Sequence, residues 1–278
     1  MSVTSMRVTR KTFAVDQLAL SYVDAQGGGM PVVFQHGLCG AMEQTTEAFP
    51  QDTGARLLTL ECRGHGQSEL GDPQALSITT FAADVSGLVQ HLGLGPVVMG
   101  GISMGAAIAL QLAVQRPELV RALIIARPAW SYNKAPPNMQ PNLVVGQFMQ
   151  RLPQGEAKQA FLNSPTAQLL RTTSPDNLVS LTGFFDREPV SATAALLQRI
   201  SEDGPAVTAA DLRKLDIPCL VIGHRDDVIH PLVLAKGLAD LIPRAQFVEI
   251  TPKTVSKALY LRDMHHAIQQ FLKGISHA

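Results

Sequence analysis

The most constraining feature of this sequence is the stretch GGISMGAAIAL at residues 100–110. It contains the pattern Gly-x-Ser-x-Gly, with Ser103 at its centre. Residues 96–100 are predicted as a strand and residues 104–114 as a helix that begins with small side chains. This order predicts a tight turn that lifts the hydroxyl of Ser103 above the edge of a sheet. A glycine-rich turn with an unreactive serine would show the same pattern, so the rest of the chain has to separate the two.

Short apolar runs alternate with amphipathic helical patterns along most of the chain. Apolar strands that alternate with such helices indicate a mostly parallel, twisted sheet with helices on both faces. The sequence therefore predicts an α/β fold. The runs predicted as strands are residues 18–25, 31–35, 56–62, 96–100, 121–126, 218–223 and 246–250.

The alternation stops between residues 130 and 208, where strand signals are few. A segment of this length is too long for a simple connection between two sheet elements. We expect a helical insertion over 130–208 that covers a site as a lid, with residues 1–129 and 209–278 forming the core domain. Its aromatic residues could line a pocket or form the core of the insertion.

Composition excludes several classes of function. The chain has 23 basic and 23 acidic residues and no cluster of either sign, which argues against nucleic acid or an anionic membrane as the main partner. No run of about 18 apolar residues predicts a membrane-spanning helix. Cys39, Cys62 and Cys219 are far apart and show no metal-ligand spacing, so we expect reduced thiols, a cytoplasmic protein and no metal.

Four motifs in order make the chain resemble the α/β-hydrolase family. They are His36-Gly37 after a strand, RGHGQS at residues 63–68, the Ser103 motif, and IPCLVIGHRDDVIHP at residues 217–231. The resemblance implies a serine nucleophile at Ser103 and no cofactor. It also implies an oxyanion hole, the pair of N–H donors that stabilises negative charge on the substrate oxygen, made by the backbone of Leu38 and Met104. His36 would be structural, and Cys39 a small loop side chain.

The resemblance places the catalytic acid in the loop after residues 218–223. Asp226 and Asp227 both fit the spacing, and the distance to Pro231 favours Asp227. One of them would orient a histidine and stabilise its charged form.

The histidine itself is missing from its usual place. In the family it lies in the loop after the last strand, and here that loop reads TPKTVSK, residues 251–257. A serine hydroxyl needs an adjacent base to become a nucleophile. The candidates are His230, just past the acid, and His265 or His266 in the predicted last helix; a lysine of the loop is a further alternative.

Arg127 follows the strand at residues 121–126, at the sheet edge where α/β proteins bind ligands. It could bind a substrate carboxylate, or it could pair with an acidic residue such as Asp226 or Asp227.

Two functions follow from the sequence. The first is a serine hydrolase that acts through Ser103 on a small-molecule substrate, a carboxylic ester or lactone whose acyl size the sequence leaves open; a homodimer is one possible assembly. The second is a binding protein, or a lyase or acyltransferase, that keeps the scaffold without hydrolysis.

Overall fold

The computed structural model describes residues 8–25 and 28–276. The described chain contains one eight-stranded sheet. Its strands are β1 (Thr9–Val15), β2 (Leu18–Asp24), β3 (Pro31–Gln35), β4 (Arg56–Leu60), β5 (Val97–Ile102), β6 (Val120–Ala126), β7 (Cys219–Gly223) and β8 (Ala245–Glu249). Their spatial order is β1-β2-β4-β3-β5-β6-β7-β8. The pairs β1–β2 and β2–β4 are antiparallel, and every later pair is parallel.

Helices cover both faces of this sheet, so the predicted α/β fold is confirmed. The helices are α1 (Met42–Ala48), α2 (Ile78–His91), α3 (Met104–Gln115), α4 (Gln140–Arg151), α5 (Gln154–Leu162), α6 (Pro165–Thr173), α7 (Pro175–Gly183), α8 (Val190–Ser201), α9 (Ala209–Leu212), α10 (Leu232–Leu241) and α11 (Lys257–Ser276). One core cluster joins the sheet to α2, α3 and α10, and the other joins it to α1 and α11. The central strand β5 is buried at all of its positions because it is covered on both sides.

Strand β1, helix α1 and the short helix α9 were not predicted from the sequence. Strand β1 lies at the edge of the sheet and buries only Phe13, so its sequence TRKTFAV shows no apolar run. Helix α1 buries Thr45, whose hydroxyl lies 2.8 Å from that of Thr59 in β4. Because this contact is polar, the sequence of α1 lacks the apolar periodicity from which a helix is predicted.

The chain between β6 and β7 forms the helices α4 to α9. Three of its aromatic residues, Trp130, Phe161 and Phe185, are at most 1% exposed and form its core. The indole nitrogen of Trp130 donates to the carbonyl of Asp203, 2.9 Å away, which ties the start of this segment to its end. We call residues 130–208 the insertion; its exact boundaries and its role as a lid stay predictions.

Within residues 8–25 and 28–276, no helix combines the length and the apolar character needed to span a lipid bilayer.

Candidate active site

Ser103 lies on a strained turn between β5 and α3. Its backbone angles are φ 57° and ψ −110°, a region that costs a residue with a side chain about 1–3 kcal/mol. The Ser103 N–H donates to the carbonyl of Ala126 in β6, at 3.0 Å, and the side chain makes no hydrogen bond with any described residue. The turn therefore holds a free hydroxyl at the carboxyl edge of the sheet.

The two glycines of the motif are required by close packing. A Cβ on Gly101 would lie 2.7 Å from the carbonyl oxygen of Gln35 in β3, and one on Gly105 would lie 2.3 Å from the same atom. Backbone atoms cannot move away cheaply, so neither position accepts a larger residue without displacing β3 or α3. The small residues of the motif thus allow α3 to pack closely against the sheet.

Two backbone N–H groups near Ser103 have no acceptor among the described residues. Met104 is the first residue of α3, so its N–H has no partner within the helix. The N–H of Leu38, in the loop after β3, is likewise free, and Leu38 and Ser103 line the same cavity. These are the two donors that the sequence assigned to an oxyanion hole; their catalytic role belongs to the proposal below.

The loop around Leu38 is fixed by its neighbours. The N–H of Gly37 donates to Gln44 Oε1 at 2.6 Å, and the N–H of Cys39 donates to His65 Nε2 at 3.0 Å. A side chain on Gly37 would lie 3.4 Å from Ser103 Cβ, so this loop packs directly on the turn.

The histidines below this loop serve its backbone. His36 Nε2 accepts from the N–H of Cys62 at 3.1 Å, as His65 does from Cys39. Burial lowers the pKa of both imidazoles, so they stay neutral and keep an acceptor nitrogen for these bonds. Burial also raises the pKa of the Cys39 thiol to about 12, which keeps it protonated and a poor nucleophile.

Asp227 is the centre of a buried network after β7. Its carboxylate accepts from Arg127 Nη2 at 2.6 Å, and His230 Nδ1 lies 2.9 Å and 3.0 Å from its two oxygens. Burial opposes ionisation, but attraction to His230 and Arg127 outweighs it and holds the pKa of Asp227 well below its usual range. Asp226, by contrast, is exposed and turned away at φ 61°. Between the two candidates, only Asp227 contacts a histidine beside the cavity.

Arg127 lines the cavity beside Ser103, and its positive charge is paired with the carboxylate of Asp227. Besides the contact with Asp227, its Nη1 lies 3.4 Å from the hydroxyl of Tyr260, and its guanidinium lies 5.7 Å from the centre of that ring. The structure therefore shows the ion pair that the sequence left as one of two alternatives for Arg127. A substrate carboxylate would have to compete with Asp227 for it.

A cavity of about 400 Å³ joins these groups. Ser103, Leu38, Arg127 and His230 line it on the side of the sheet. The insertion contributes the opposite wall, with Met139, Asn142, Asn177, Ser180, Leu181, Gly183, Phe184 and Arg187. This size and a position at the carboxyl ends of parallel strands suit a small-molecule ligand.

His265 and His266 do not line this cavity. His265 Nε2 contacts the carbonyl of Glu47 at 2.8 Å, and His266 borders a separate surface groove beside β8. Helix α11 begins at Lys257, so both histidines lie too far along it to return to Ser103. From the loop before α11 only Lys253 lines the cavity, and Asp176 lies 3.2 Å from its Nζ.

The sequence offered His230 as one of several candidate bases, and Arg187 had no signal there. His230 precedes a proline at a helix start, where a histidine is commonly structural, and the turn after β7 brings it beside Asp227. Arg187 belongs to the insertion, which has no family-like motif. Among the described residues, no group of three or more histidine, cysteine or acidic side chains could hold a metal ion.

Comparison with known proteins agrees with the fold. Over 240 residues, 82% of this chain, the sequence is 29% identical to the protein named non-heme bromoperoxidase BpoC of Mycobacterium tuberculosis H37Rv, of which 87% is covered. A shorter stretch of 113 residues, 39% of this chain, is 40% identical to mouse sn-1-specific diacylglycerol lipase ABHD11, of which 36% is covered. A bromoperoxidase structure from Bacillus anthracis superposes with a TM-score of 0.72 over 95% of this chain and all of its own, at 19% identity, a likeness of fold alone. The family model of the alpha/beta hydrolase fold matches residues 30–253, and the chain therefore belongs to the α/β-hydrolase family.

Proposed function

We propose that this protein is a serine hydrolase that cleaves a small carboxylic ester or lactone through Ser103. The observation that carries the proposal is the free Ser103 hydroxyl on its strained turn, beside two unpaired N–H groups and in one cavity with a histidine held by a buried carboxylate. The identity with a diacylglycerol lipase over part of the chain also supports ester chemistry.

His230 is the base in this proposal, in place of the missing histidine after β8. Arg127 Nη2 lies 3.1 Å from His230 Nδ1 and 2.6 Å from the Asp227 carboxylate, and we take the carboxylate as its acceptor. Because Asp227 is ionised and can only accept, we assign the proton of the ring to Nδ1, which donates to it. Nε2 then carries the free lone pair, and no described residue binds it. Burial lowers the pKa of His230 and outweighs the attraction to Asp227, so the ring is neutral at pH 7 and able to accept a proton.

The chemistry proceeds in two balanced steps. Ser103 Oγ attacks the carbonyl carbon while His230 Nε2 takes its proton, and the oxygen that becomes negative is held by the N–H groups of Leu38 and Met104. The bond to the leaving oxygen breaks, His230 returns the proton to that oxygen, and an acyl-enzyme remains. Water then attacks the acyl group while His230 Nε2 takes its proton. The bond to Ser103 Oγ breaks, His230 returns the proton to that oxygen, and a carboxylic acid and free Ser103 result.

Asp227 and Arg127 act through His230. The carboxylate fixes the ring and stabilises its charged form during each step. Arg127, paired with the same carboxylate, keeps Asp227 ionised without supplying a proton at neutral pH, because a guanidinium does not titrate there.

A second candidate function is a binding protein that keeps the cavity without turnover. The absence of histidine between Glu249 and Lys257 favours it, since this is where the family places its base. A cytoplasmic location and a homodimer remain predictions for either function.

Reaction with a neutral fluorophosphonate separates the two. We expect the purified protein to gain one phosphonyl group on the peptide that contains Ser103, and Ser103→Ala to gain none. Ser180→Ala is the matched control, because Ser180 lines the same cavity and should not alter the reaction. Absence of Ser103-dependent labelling and of ester cleavage would refute the hydrolase and leave the binding protein.

A further inference from the structure

The cavity has an unbalanced positive charge. Among the described residues that line it, three side chains are cations and none is a carboxylate. Two of the cations have partners outside the lining: Arg127 binds Asp227, and Lys253 lies 3.2 Å from Asp176. The third, Arg187, has no hydrogen bond or ion pair from its side chain to any described residue, and its Nε is buried.

The neighbours of Arg187 in sequence cannot neutralise it. Asp186 binds Lys158, with both carboxylate oxygens 2.8 Å from Nζ. The carboxylate of Glu188 accepts from the N–H of Val190 at 3.2 Å. The acidic groups beside Arg187 are therefore engaged elsewhere on the insertion.

The backbone of Arg187 is held in place. Its N–H donates to the carbonyl of Phe184 at 3.2 Å, and the preceding Phe185 is fully buried with its ring 5.6 Å from that of Phe161. The side chain thus leaves a rigid part of the insertion and enters the cavity.

The charge of Arg187 reaches the side of the cavity that carries Leu38. Burial lowers the pKa of His36 and of His65, and the guanidinium of Arg187 lowers both further. The same charge opposes the rise that burial causes in the pKa of the Cys39 thiol. An anion bound to Arg187 would consequently lie in the same cavity as Ser103, Leu38 and His230.

We propose that Arg187 selects substrates that carry a carboxylate, so that the ester or lactone cleaved here is an anionic one. This inference rests on the proposed function and names its substrate class. A partly buried guanidinium without a partner is costly, and a carboxylate supplies both the charge and the paired acceptor oxygens that it lacks. One unpaired cation matches a substrate with one carboxylate. The cavity of about 400 Å³ holds a small acyl chain between that carboxylate and Ser103.

The kinetic test compares two substrates of equal length, the 4-nitrophenyl monoester of glutaric acid and its neutral monoamide. A hydrogen-bonded ion pair contributes on the order of 10–100-fold in affinity, so we expect the wild type to prefer the acid by that factor in kcat/KM. Arg187→Met should lose this preference, mainly through a higher KM for the acid. Arg187→Lys should restore part of it, and Arg171→Met, an exposed arginine of α6, should change nothing. A wild type that treats both substrates alike, or a preference that survives Arg187→Met, overturns the inference.

Binding of the product, glutarate, tests Arg187 without turnover. Calorimetry should give a dissociation constant at least tenfold weaker for Arg187→Met than for the wild type; equal binding, or no binding to the wild type, contradicts the inference. Fluorophosphonate labelling reports the proposed function separately. Glutarate binding through Arg187 without labelling of Ser103 would refute hydrolysis alone, and labelling without a charge preference would refute only the role of Arg187.

Discussion

The loops after β7 and β8 differ sharply, although they follow neighbouring strands and open on the same edge of the sheet. The loop at residues 224–231 carries two histidines and two aspartates, and its Asp227 is buried in a network. The loop at residues 251–256 carries no histidine, and its Thr251 is tied to Asp263 of α11 by bonds of 3.1 Å and 2.5 Å. Both loops border one cavity, so the proposed mechanism can take from the first loop alone the acid and the base that the family divides between the two.

The largest effect is expected from substitutions in the loop at residues 224–231, which follows β7. We predict that His230→Gln lowers kcat/KM for an activated ester by about 10⁴–10⁶, the usual cost of losing one member of a serine triad. Asp227→Asn should act in the same direction, since it removes the acceptor that selects the Nδ1–H form. Steady-state kinetics on the folded variants, checked by circular dichroism, measures this.

The pH profile distinguishes a base from a structural residue. Because the pKa of His230 is lowered, the wild-type rate should fall only as pH drops below about 6.5, the ordinary value for histidine, where the ring takes up a proton and loses its lone pair. The residual rate of His230→Gln should lack this acidic limb. A variant that keeps both the rate and the limb would place the base elsewhere.

An effect on stability is expected from the ion pair behind the first loop. Arg127→Met leaves the Asp227 carboxylate, 1% exposed, without its cation, and removal of one partner of a buried pair costs about 3–5 kcal/mol in the free energy of unfolding. Urea denaturation measures it.

Two further variants sharpen this result. Addition of Asp227→Asn to Arg127→Met should recover part of the loss, because the unpaired charge is gone. The surface pair Arg225–Glu249 of the same region gives the matched control, and Arg225→Met should leave the midpoint nearly unchanged. If Arg127→Met changed the urea midpoint as little as Arg225→Met, the Arg127–Asp227 network would not be a single buried unit.

The sequence predicted the fold well because the fold depends on repeated patterns. Apolar runs such as that of β5 are buried on both sides, and the glycines around Ser103 are fixed by distances to Gln35 that allow no side chain. Candidate site residues could be named from the sequence only where a motif has a fixed spacing along the chain. The contacts of His230 with Asp227 follow from a local turn, but Arg187 and Cys39 line one cavity from about 150 positions apart, and no local pattern records that they share it.

The smallest effect is expected from substitutions in the loop at residues 251–256, which follows β8. Lys253→Met removes the one side chain that this loop gives to the cavity, yet its ammonium is already paired with Asp176. Both side chains are partly exposed, and ion pairs in contact with solvent contribute little, so we predict a change of less than about threefold in kcat/KM. His265→Ala, on the outer side of α11, should be equally silent in the same ester assay. A loss of a hundredfold or more in Lys253→Met, with His230→Gln unaffected, would reverse the comparison: a lysine of the second loop would then be the base, and the histidine of the first would be a ligand of Asp227 alone.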